Sequence, residues 1–422
     1  MRAICWATAL ATFISGCTST APTTTATTRP AAVQDLAFAR EVHERTLVLD
    51  AHADVVLPGA TSRYGDADGS SKVTPAKLRS GGVDAVVMAG AVGPGPRTPA
   101  GEADARAQIL VELQGVQAIA DNDEQVVVVT SVAELQRAHT LGQQALLLGF
   151  QNARGLTGQV DAIDDFYDAG VRVFALTHIG HNAFADSSRP EFISAKASYE
   201  PTEQHQGLSE LGRAAIERIN QLGGVVDVSQ LSKNATLQAI DTSATPVIAS
   251  HSNVRALSDV ARNLSDDEID RIAAAGGVIH IAAFTAYLLD VSDPALIKEI
   301  KALRRSAGIS ERYTYPYELY WEIEDEQDQY AFLSAIRTLL GPANIDRLID
   351  HIDYVVARVG VDHVGLATDF NHGGGIEGFQ NASEALNVTA GLLRRGYSEA
   401  QIGKIWSGNF LRVLGEAERS NE

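Results

Sequence analysis

The sequence predicts an α/β fold, a closed (β/α)8 barrel of the TIM type, from three observations. Eight short apolar runs recur along the chain, and they are rich in Val, Ile and Ala and largely unbroken, as in parallel strands that are buried on both faces. Segments with helical periodicity lie between these runs. Most runs end at a polar residue, and a barrel collects the C-terminal ends of its strands at one rim, where catalytic residues sit.

The eight predicted strands are residues 47–54, 82–88, 145–151, 171–178, 223–230, 245–251, 277–284 and 363–369. Helical periodicity is clear in residues 208–222 and 265–275, and the second segment opens with Ser265-Asp266-Asp267-Glu268, which is typical of a capping box. A doubly wound open sheet is the alternative fold. That fold collects ligands at one switch point and not at nearly every strand end, so we favour the barrel.

The N-terminal residues predict export and a lipid anchor. Residues 1–17 combine Met1-Arg2, an apolar stretch and a Ser-Gly-Cys ending, which is typical of an export signal. The ending Ile-Ser-Gly-Cys resembles a bacterial lipoprotein signal and implies lipidation of Cys17, with an ordinary secretory signal as the alternative. Residues 18–34 are rich in Thr, Ala and Pro and predict a disordered tether, so we expect one barrel domain over residues 35–422.

Composition and the N-terminus limit the partners and the location. The net charge of -19 argues against nucleic acid, which needs a basic face. After the N-terminus no apolar run is long enough to span a bilayer, so we expect contact with the membrane only through the lipid on Cys17. Thr18 and Ser19 follow Cys17 with no Asp, which by resemblance to lipoproteins of two-membrane bacteria favours the outer membrane of the cell envelope, facing the periplasm.

Polar residues at the predicted strand ends indicate a metal site. They are His52, Asp54, Gln151, His178, Gln230, His251 and Asp369, with Arg262 shortly after the sixth strand. Zinc prefers imidazole and carboxylate ligands, and barrel hydrolases use such sets to hold one or two ions that activate water. A single histidine at a strand end more often has a structural role, so the prediction depends on the whole set.

Over residues 42–414 the chain resembles the renal-type, or membrane, dipeptidase family of zinc peptidases. The blocks that carry this resemblance are LDAHAD, LRSGGVDAVVMA, GVRVFALTHIGHNAFADS, GLSELGRAAIERINQLGGVVDVSQLS, PVIASHSNVRALSDVARNLSDD, HVGLATDF and GNFLRVL. The resemblance implies a barrel of the metallo-dependent hydrolase type. It also implies hydrolysis of the amide bond of a dipeptide or similar small peptide-like substrate by metal-activated water, with zinc or another divalent metal as cofactor.

The resemblance also implies which residues hold the metal. In the family, the positions of His52 and Asp54 bind one ion, a Glu on strand three bridges two ions, and histidines after strands five and six complete the second ion. In this chain the bridging position is Gln151 and the strand-five position is Gln230, so only His251 of the second site is retained. A glutamine offers one neutral carbonyl oxygen and its NH2 group cannot ligate, so we expect one ion per chain and not two.

The remaining site residues are assigned by the same resemblance. It implies that His178 and Arg262 contact the substrate, with Arg262 binding the C-terminal carboxylate through paired donors. Asp369 stands where the family places a carboxylate for proton transfer beside the activated water. Phe284 stands where the family often has a substrate-contacting Tyr. The alternative for Arg262 is a solvated charge on a helix.

Several alternatives stay open at the level of sequence. His181 and His372 lie on rim loops and could reach the metal, whereas His280 is predicted to be a core residue. Because Gln151 and Gln230 affect the same ion, the alternative function is a catalytically impaired pseudo-dipeptidase that acts as a ligand-binding or scaffold lipoprotein. A homodimer also stays open. Residues 59–76 are predicted to form a long loop.

Overall fold

Eight parallel strands form a barrel in the computed structural model, which describes residues 31–313 and 316–421. They are β1 (Leu49–Asp54), β2 (Ala85–Ala91), β3 (Gln144–Gln151), β4 (Val171–Ala175), β5 (Val225–Asp227), β6 (Ile248–Ala249), β7 (Val278–Ala282) and β8 (Val364–Ala367). Each strand pairs with the next. Two bonds, from Asp369 N to His52 O (3.0 Å) and from Asp54 N to Phe370 O (2.9 Å), join β8 to β1 and nearly close the barrel. The predicted barrel is confirmed, because each predicted strand overlaps one of these strands.

Helices connect the strands and form the outer layer. They are α1 (Ala31–Arg45), α2 (Pro75–Gly81), α3 (Pro99–Asp121), α4 (Val132–Leu141), α5 (Ala162–Asp168), α6 (Glu210–Leu222), α7 (Lys233–Thr242), α8 (Asp266–Ala274), α9 (Thr285–Leu288), α10 (Pro294–Ser306), α11 (Glu326–Leu340), α12 (Ile345–Val359), α13 (Leu386–Arg395), α14 (Glu399–Gly403) and α15 (Asn409–Arg419). The two helices predicted from periodicity are confirmed as α6 and α8. The predicted capping box is present, since Ser265 N donates to the Glu268 carboxylate at 2.8 Å.

Three strand segments were not predicted. Val126–Val129 pairs in parallel with the first half of β3, outside the path of the barrel. Phe192–Ile193 and Ser198–Tyr199 form a small antiparallel pair in the loop after β4. Val126–Val129 escaped prediction because a run of four valines is too short for periodicity to identify it as a strand. The loop predicted over residues 59–76 is irregular as far as Thr74, whose side chain caps α2.

The inside of the barrel is filled by small and branched apolar side chains. Leu49, Val173 and Val278 pack in one cluster with Phe410 and Leu414 of α15, so the last helix contributes to the same core as the strands. The histidine predicted to lie in the core, His280, is 1% exposed, and its Nδ1 lies 3.0 Å from Ala249 O. Burial lowers the pKa of His280 to about 4, so it stays neutral inside the barrel.

An insert between β7 and β8 borders the rim. Its helices α10 and α11 have a core of their own, which includes Ile300, Phe332 and Ile336. The hydroxyl of Tyr320 in this insert contacts the hydroxyl of Tyr64, which lies in the loop after β1. The insert therefore adds to the wall around the C-terminal ends of the strands.

The predicted signal (residues 1–17) and most of the predicted tether (residues 18–34) lie outside the described residues, so the lipidation of Cys17 stays a prediction. The first described helix, α1, starts at Ala31. Among the described residues, no helix has both the length and the apolar character needed to cross a membrane.

Candidate active site

Side chains from five strand ends meet in one buried cluster above the barrel. The imidazole rings of His52 and His251 stack with their centroids 3.8 Å apart. The side-chain nitrogens of Gln151 and Gln230 lie 3.4 Å and 3.1 Å from His251 Nε2. Asp369 completes the group, since ligand atoms of His52, His251 and Asp369 all lie within 4.8 Å of one another. The structure thus brings these five predicted residues together.

His52 and Asp54 project from the same face of β1, as the alternation of a strand requires. His52 Nε2 lies 3.3 Å from Asp54 Oδ1. A third residue of the strand, Asp50, fixes their backbone: its Oδ1 accepts from His52 N at 3.2 Å and from Thr368 N at 3.0 Å. Burial raises the pKa of Asp50 to about 7. Asp50 therefore bridges β1 to the end of β8 directly beneath the site.

The second oxygen of Asp54 is held by a loop histidine. His372 Nδ1 lies 2.8 Å from Asp54 Oδ2, and the ring of His372 stacks on Tyr64 at 5.6 Å. Burial would raise the pKa of Asp54, but the charge and hydrogen bonds of His372 and His52 hold it below its usual range. Asp54 is therefore a carboxylate, oriented by His372 on one side and facing His52 on the other.

A chain of hydrogen bonds orients His251 from below. Asp227 accepts at Oδ1 from the backbone N–H groups of Ser229 and Ser250, each at 2.9 Å. Ser250 Oγ donates to Asp227 Oδ2 and lies 2.7 Å from His251 Nδ1. Because the serine hydroxyl gives its proton to Asp227, His251 Nδ1 must donate to it, which leaves a lone pair on His251 Nε2. Burial, and then the charges of His52 and Arg262, lower the pKa of His251 well below its usual value.

Two of the site residues adopt left-handed backbone conformations. Gln230 has φ 66° and Asp369 has φ 55°, and a non-glycine residue rarely adopts such angles. Both follow their strands by two or three residues, where the chain turns sharply out of the barrel. Strain of this kind persists only where the surroundings impose it, and it is common at functional sites.

Arg262 lies inside the site and not on a solvated helix face. It is 3% exposed, its Nη1 donates to His251 O, and its guanidinium lies 4.1 Å from the centre of the Tyr287 ring. Its Nε and Nη2 are buried and donate to no group among the described residues. These two donors form one edge of the guanidinium fork, the edge that binds a carboxylate in two parallel hydrogen bonds.

His178 and Phe284 have different relations to the cluster. The ring of His178 packs edge-on against His372 at 4.9 Å, and its Nδ1 is buried without a partner in the described part of the chain. Burial, then the charges of His372 and Arg189, lower the pKa of His178 well below its usual value, so it is neutral. Phe284 stacks with its ring centroid 4.1 Å from that of Tyr287, the ring that lies beneath Arg262.

The other loop histidine, His181, is a structural residue. Its Nε2 lies 2.8 Å from Pro201 O, and its Nδ1 accepts from Ser187 N at 3.1 Å. Since the backbone takes both ring nitrogens, His181 has no lone pair to offer a metal. Of the two histidines left open by the sequence, only His372 reaches the cluster, and it does so through Asp54.

A cavity of about 370 Å³ opens beside these residues. Its lining includes Asp54, His178 and His372, together with Leu57 and Tyr64 of the loop after β1. Glu112 of α3 also faces it, and burial raises the pKa of this carboxyl group to about 7. The cavity reaches the site at Asp54 and His178, and its volume suits a small ligand.

The sequence did not predict one charged side chain of the site, that of Arg189. Arg189 is 2% exposed, and its Nη2 donates to Gln230 Oε1 at 2.9 Å. It belongs to the long loop after β4, where Arg next to Pro190 has no periodic context and is typical of a solvated turn. No pattern in the sequence distinguishes this buried arginine from an exposed one.

The donor set fits one divalent ion. His52 Nε2, Asp54 Oδ1 and Asp369 Oδ2 are buried, and apart from the 3.3 Å approach of the first two to each other they have no hydrogen-bond partner among the described residues. Leaving such atoms unsatisfied costs free energy unless a cation or ligand binds them, and a mixed nitrogen and oxygen set suits zinc. The groups around His251 are different, because the amides of Gln151 and Gln230 already approach its Nε2 and neither brings a charge.

The curated relatives that match this sequence include dipeptidases. Dipeptidase tcpJ from Claviceps purpurea is 28% identical over 289 residues, 68% of this chain and 54% of tcpJ. Dipeptidase aclJ from Aspergillus oryzae is 29% identical over 292 residues, 68% of this chain and 56% of aclJ. The chain thus spans about half the length of the curated relatives it matches.

Solved structures share the fold. The probable dipeptidase PvdM from Pseudomonas aeruginosa has a TM-score of 0.80 and 36% identity, over 92% of this chain and 99% of PvdM. A metallopeptidase from Rhodobacter sphaeroides, liganded with a phosphinate mimic of the dipeptide L-Ala-D-Ala, has a TM-score of 0.67 at 19% identity, over 88% of this chain and 99% of that one.

A family model, the membrane dipeptidase family, matches residues 36–422. The match includes every strand of the barrel and every residue of the cluster described above. The chain therefore belongs to the membrane dipeptidase family, peptidase family M19.

Proposed function

We propose that this protein is a metal-dependent dipeptidase that hydrolyses the amide bond of a dipeptide or a similar small peptide-like substrate. The observation that carries the proposal is a buried site that combines two free N–H groups of Arg262, which suit a carboxylate, with side-chain atoms of His52, Asp54 and Asp369 that suit a cation or a ligand. The names of the relatives and the family support the same reaction class.

Substrate binding depends first on Arg262. Its Nε and Nη2 would bind the C-terminal carboxylate of a dipeptide, and the Tyr287 ring beneath the guanidinium keeps the fork in place. Such a fork favours substrates with a free carboxylate close to the scissile bond. The cavity of about 370 Å³ limits the remainder of the substrate to a small group.

His52 and Asp54 would hold the divalent ion, with His251 and Asp369 Oδ2 beside it. The ion supplies Lewis acidity, which activates water as a nucleophile at neutral pH. Zinc suits these ligands, and the mixed donor set also admits other divalent metals.

Two side chains would manage the protons. Oδ2 of Asp369 is buried beside His52 and His251, so it can take a proton from the attacking water and return it to the leaving amine. His178 is neutral and buried, so one ring N–H can donate a hydrogen bond to the carbonyl oxygen of the scissile amide. Both roles require a substrate whose carboxylate is bound at Arg262.

The test is release of amino acids by the full chain from a panel of dipeptides and acyl amino acids, before and after zinc, manganese or cobalt is added to chelator-treated protein. The proposal expects turnover of some member only when metal is present, and loss of that turnover in Asp369→Asn. An absence of turnover across the panel with every metal would reject it.

A second candidate function rests on Gln151 and Gln230. These neutral amides stand where the family resemblance implies a Glu and a His, which favours a pseudo-dipeptidase that acts as a ligand-binding or scaffold lipoprotein. Here the parent protein would bind dipeptides without cleaving them, and the variant Gln151→Glu with Gln230→His would gain hydrolysis. A parent that hydrolyses faster than this double variant excludes the second candidate.

We also propose that the protein is anchored by a lipid on Cys17 in a bacterial cell envelope, at the outer membrane and facing the periplasm. The support is the Ile-Ser-Gly-Cys sequence, followed by Thr18 and Ser19. More than one acyl chain at the N-terminus is the condition for stable anchoring. The barrel would then meet small peptides in the periplasm.

A further inference from the structure

We propose that the guanidinium of Arg189 stands in for a second metal ion, so that the centre combines one divalent ion with one fixed arginine charge. This inference deepens the proposed function, but metal uptake tests it without any measurement of hydrolysis. Arg189 is a buried cation on the loop after β4, and its side chain contacts Gln230 of the cluster.

Arg189 is placed within the cluster by contact and by charge. It is 2% exposed, and its Nη2 lies 2.9 Å from Gln230 Oε1. Its positive charge acts on His178 and Arg262, which come from two other parts of the rim. A guanidinium is always charged in proteins, so this position carries a permanent positive charge.

The loop that carries Arg189 is attached to Gln230 by its backbone as well. Ser188 N donates to Gln230 O at 2.8 Å, and the hydroxyl groups of Ser187 and Ser188 lie 3.3 Å and 3.1 Å from the same oxygen. Gly180 N donates to Arg189 O at 2.8 Å and holds the other side of the loop. These bonds locate the arginine at one position relative to Gln230, which is itself held at φ 66°.

The hydrogen-bond chemistry then fixes the orientation of Gln230. A guanidinium only donates, so the atom of Gln230 that faces Arg189 must be the carbonyl oxygen. The NH2 group of Gln230 must therefore face His251 Nε2, at 3.1 Å. His251 Nε2 accepts this bond with its lone pair, because His251 Nδ1 donates its proton to Ser250. One continuous chain of donors runs from Arg189 through Gln230 and His251 to Ser250 and Asp227.

This series of hydrogen bonds occupies the groups that a second ion would need. The lone pair of His251 is taken by an amide, the oxygen of Gln230 is taken by Arg189, and no carboxylate replaces Gln151 as an anionic bridge. A second divalent ion would also be repelled by the guanidinium in a site with little water. The residues on this side of the cluster therefore fit an arginine and do not fit an ion.

Arg189 also accounts for an amide at position 230. The amide of Gln230 accepts from Arg189 with its oxygen and donates to His251 with its nitrogen. A histidine at position 230 has no carbonyl oxygen to accept from the guanidinium. The charge that an ion would supply at this end of the cluster is kept, but it cannot dissociate. We expect the protein to keep it when chelators remove the other ion.

The test compares metal uptake in four full-length proteins. They are the parent, the double variant Gln151→Glu with Gln230→His, and the double variant combined with Arg189→Gln or with Arg189→Lys. Gln removes the charge and keeps a donor, while Lys keeps the charge. Bound zinc is measured by elemental analysis and titration calorimetry after equilibration with a metal buffer. Thermal unfolding of each variant shows that it is folded.

In the metal buffer, the Arg189→Gln triple variant should hold one zinc more per chain than the double variant. Calorimetry should show that the affinity for this second zinc is lower by on the order of 100-fold in the double variant and in the Arg189→Lys triple variant. Equal zinc content in the double and the Arg189→Gln triple variant overturns the proposal, as does a parent that binds two ions. Adding Arg172→Gln to the double variant is the matched control, because Arg172 donates to Thr130 O and Tyr167 O at the start of β4 and should change nothing.

If the triple variants fail to fold, NMR of the parent provides the second measurement. Selective 15N labelling reports the ring nitrogens of histidine by NMR. We expect His251 Nε2 to keep an acceptor signal in the parent at saturating zinc. A shift of this nitrogen to a metal-bound value in the parent would contradict the proposal.

Discussion

His372 Nδ1 lies 2.8 Å from Asp54 Oδ2, on the side of the carboxylate away from His52. One oxygen of Asp54 is therefore left to face His52 and the cluster, while the other is fixed by a loop that follows β8. Groups that orient a metal ligand raise metal affinity by holding its geometry before the ion binds.

Replacing His372 by Ala should weaken zinc binding by roughly 10- to 100-fold, because Asp54 would lose the partner that orients it. Competition with a chromophoric chelator measures the affinity directly. His139→Ala is the matched control, since His139 pairs with Asp84 at 2.9 Å at a distance along the barrel from the cluster. Equal losses in both variants, or no loss in His372→Ala, would show that the contact with Asp54 is unimportant for the metal.

Replacing Arg262 by Lys should raise KM by on the order of 10- to 100-fold, because a lysine keeps the charge but loses the paired donors. The comparison substrate is the same dipeptide with a C-terminal amide. For the parent, kcat/KM should be much lower on the amide than on the free acid. For Arg262→Lys the two substrates should differ little, because the paired hydrogen bonds to the carboxylate are already absent. A variant that still discriminates strongly against the amide would place the carboxylate elsewhere.

Stability should fall in weak acid because of buried His351. His351 Nδ1 accepts from Val254 N at 3.1 Å and its Nε2 lies 3.2 Å from Leu288 O, so the neutral ring is fully bonded. Burial lowers the pKa of His351 to about 4. The unfolded chain takes up this proton near pH 6.5 and the folded chain does not, so stability is present above pH 6.5 and is lost as the pH falls toward 4.

Between pH 7.5 and pH 5 this one group should cost about 2 kcal/mol of unfolding free energy. Urea unfolding of the parent and of His351→Gln at the two pH values measures the difference. The variant should be less stable at pH 7.5 but should lose less on acidification. Parallel losses in the two proteins would mean that His351 does not titrate in this way.

The barrel and most of the cluster were predictable because they depend on strand periodicity. His52 and Asp54 share a face because strands alternate, and Gln151, His251 and Asp369 lie at or just beyond strand ends that a barrel must bring together. Loop residues have no such rule. Arg189 and His372 reach the cluster through turns whose path depends on many contacts, so Arg189 escaped prediction and the role of His372 stayed open.

Replacing Cys17 by Ala should abolish lipid labelling and stop maturation of the precursor by the lipoprotein pathway. Metabolic labelling with a fatty acid and membrane fractionation measure both effects. If the variant is processed normally and the parent fractionates as a soluble protein, the sequence at residues 14–17 acts as an ordinary secretory signal.

Activity as a function of bound metal tests the central claim most directly, because the claim joins hydrolysis to a single ion. Zinc is added stepwise to chelator-treated full-length protein while hydrolysis of the best dipeptide is followed. We predict that the rate rises in proportion to zinc and reaches its plateau at one ion per chain. A plateau at two ions per chain, or no hydrolysis at any ratio, would contradict the account.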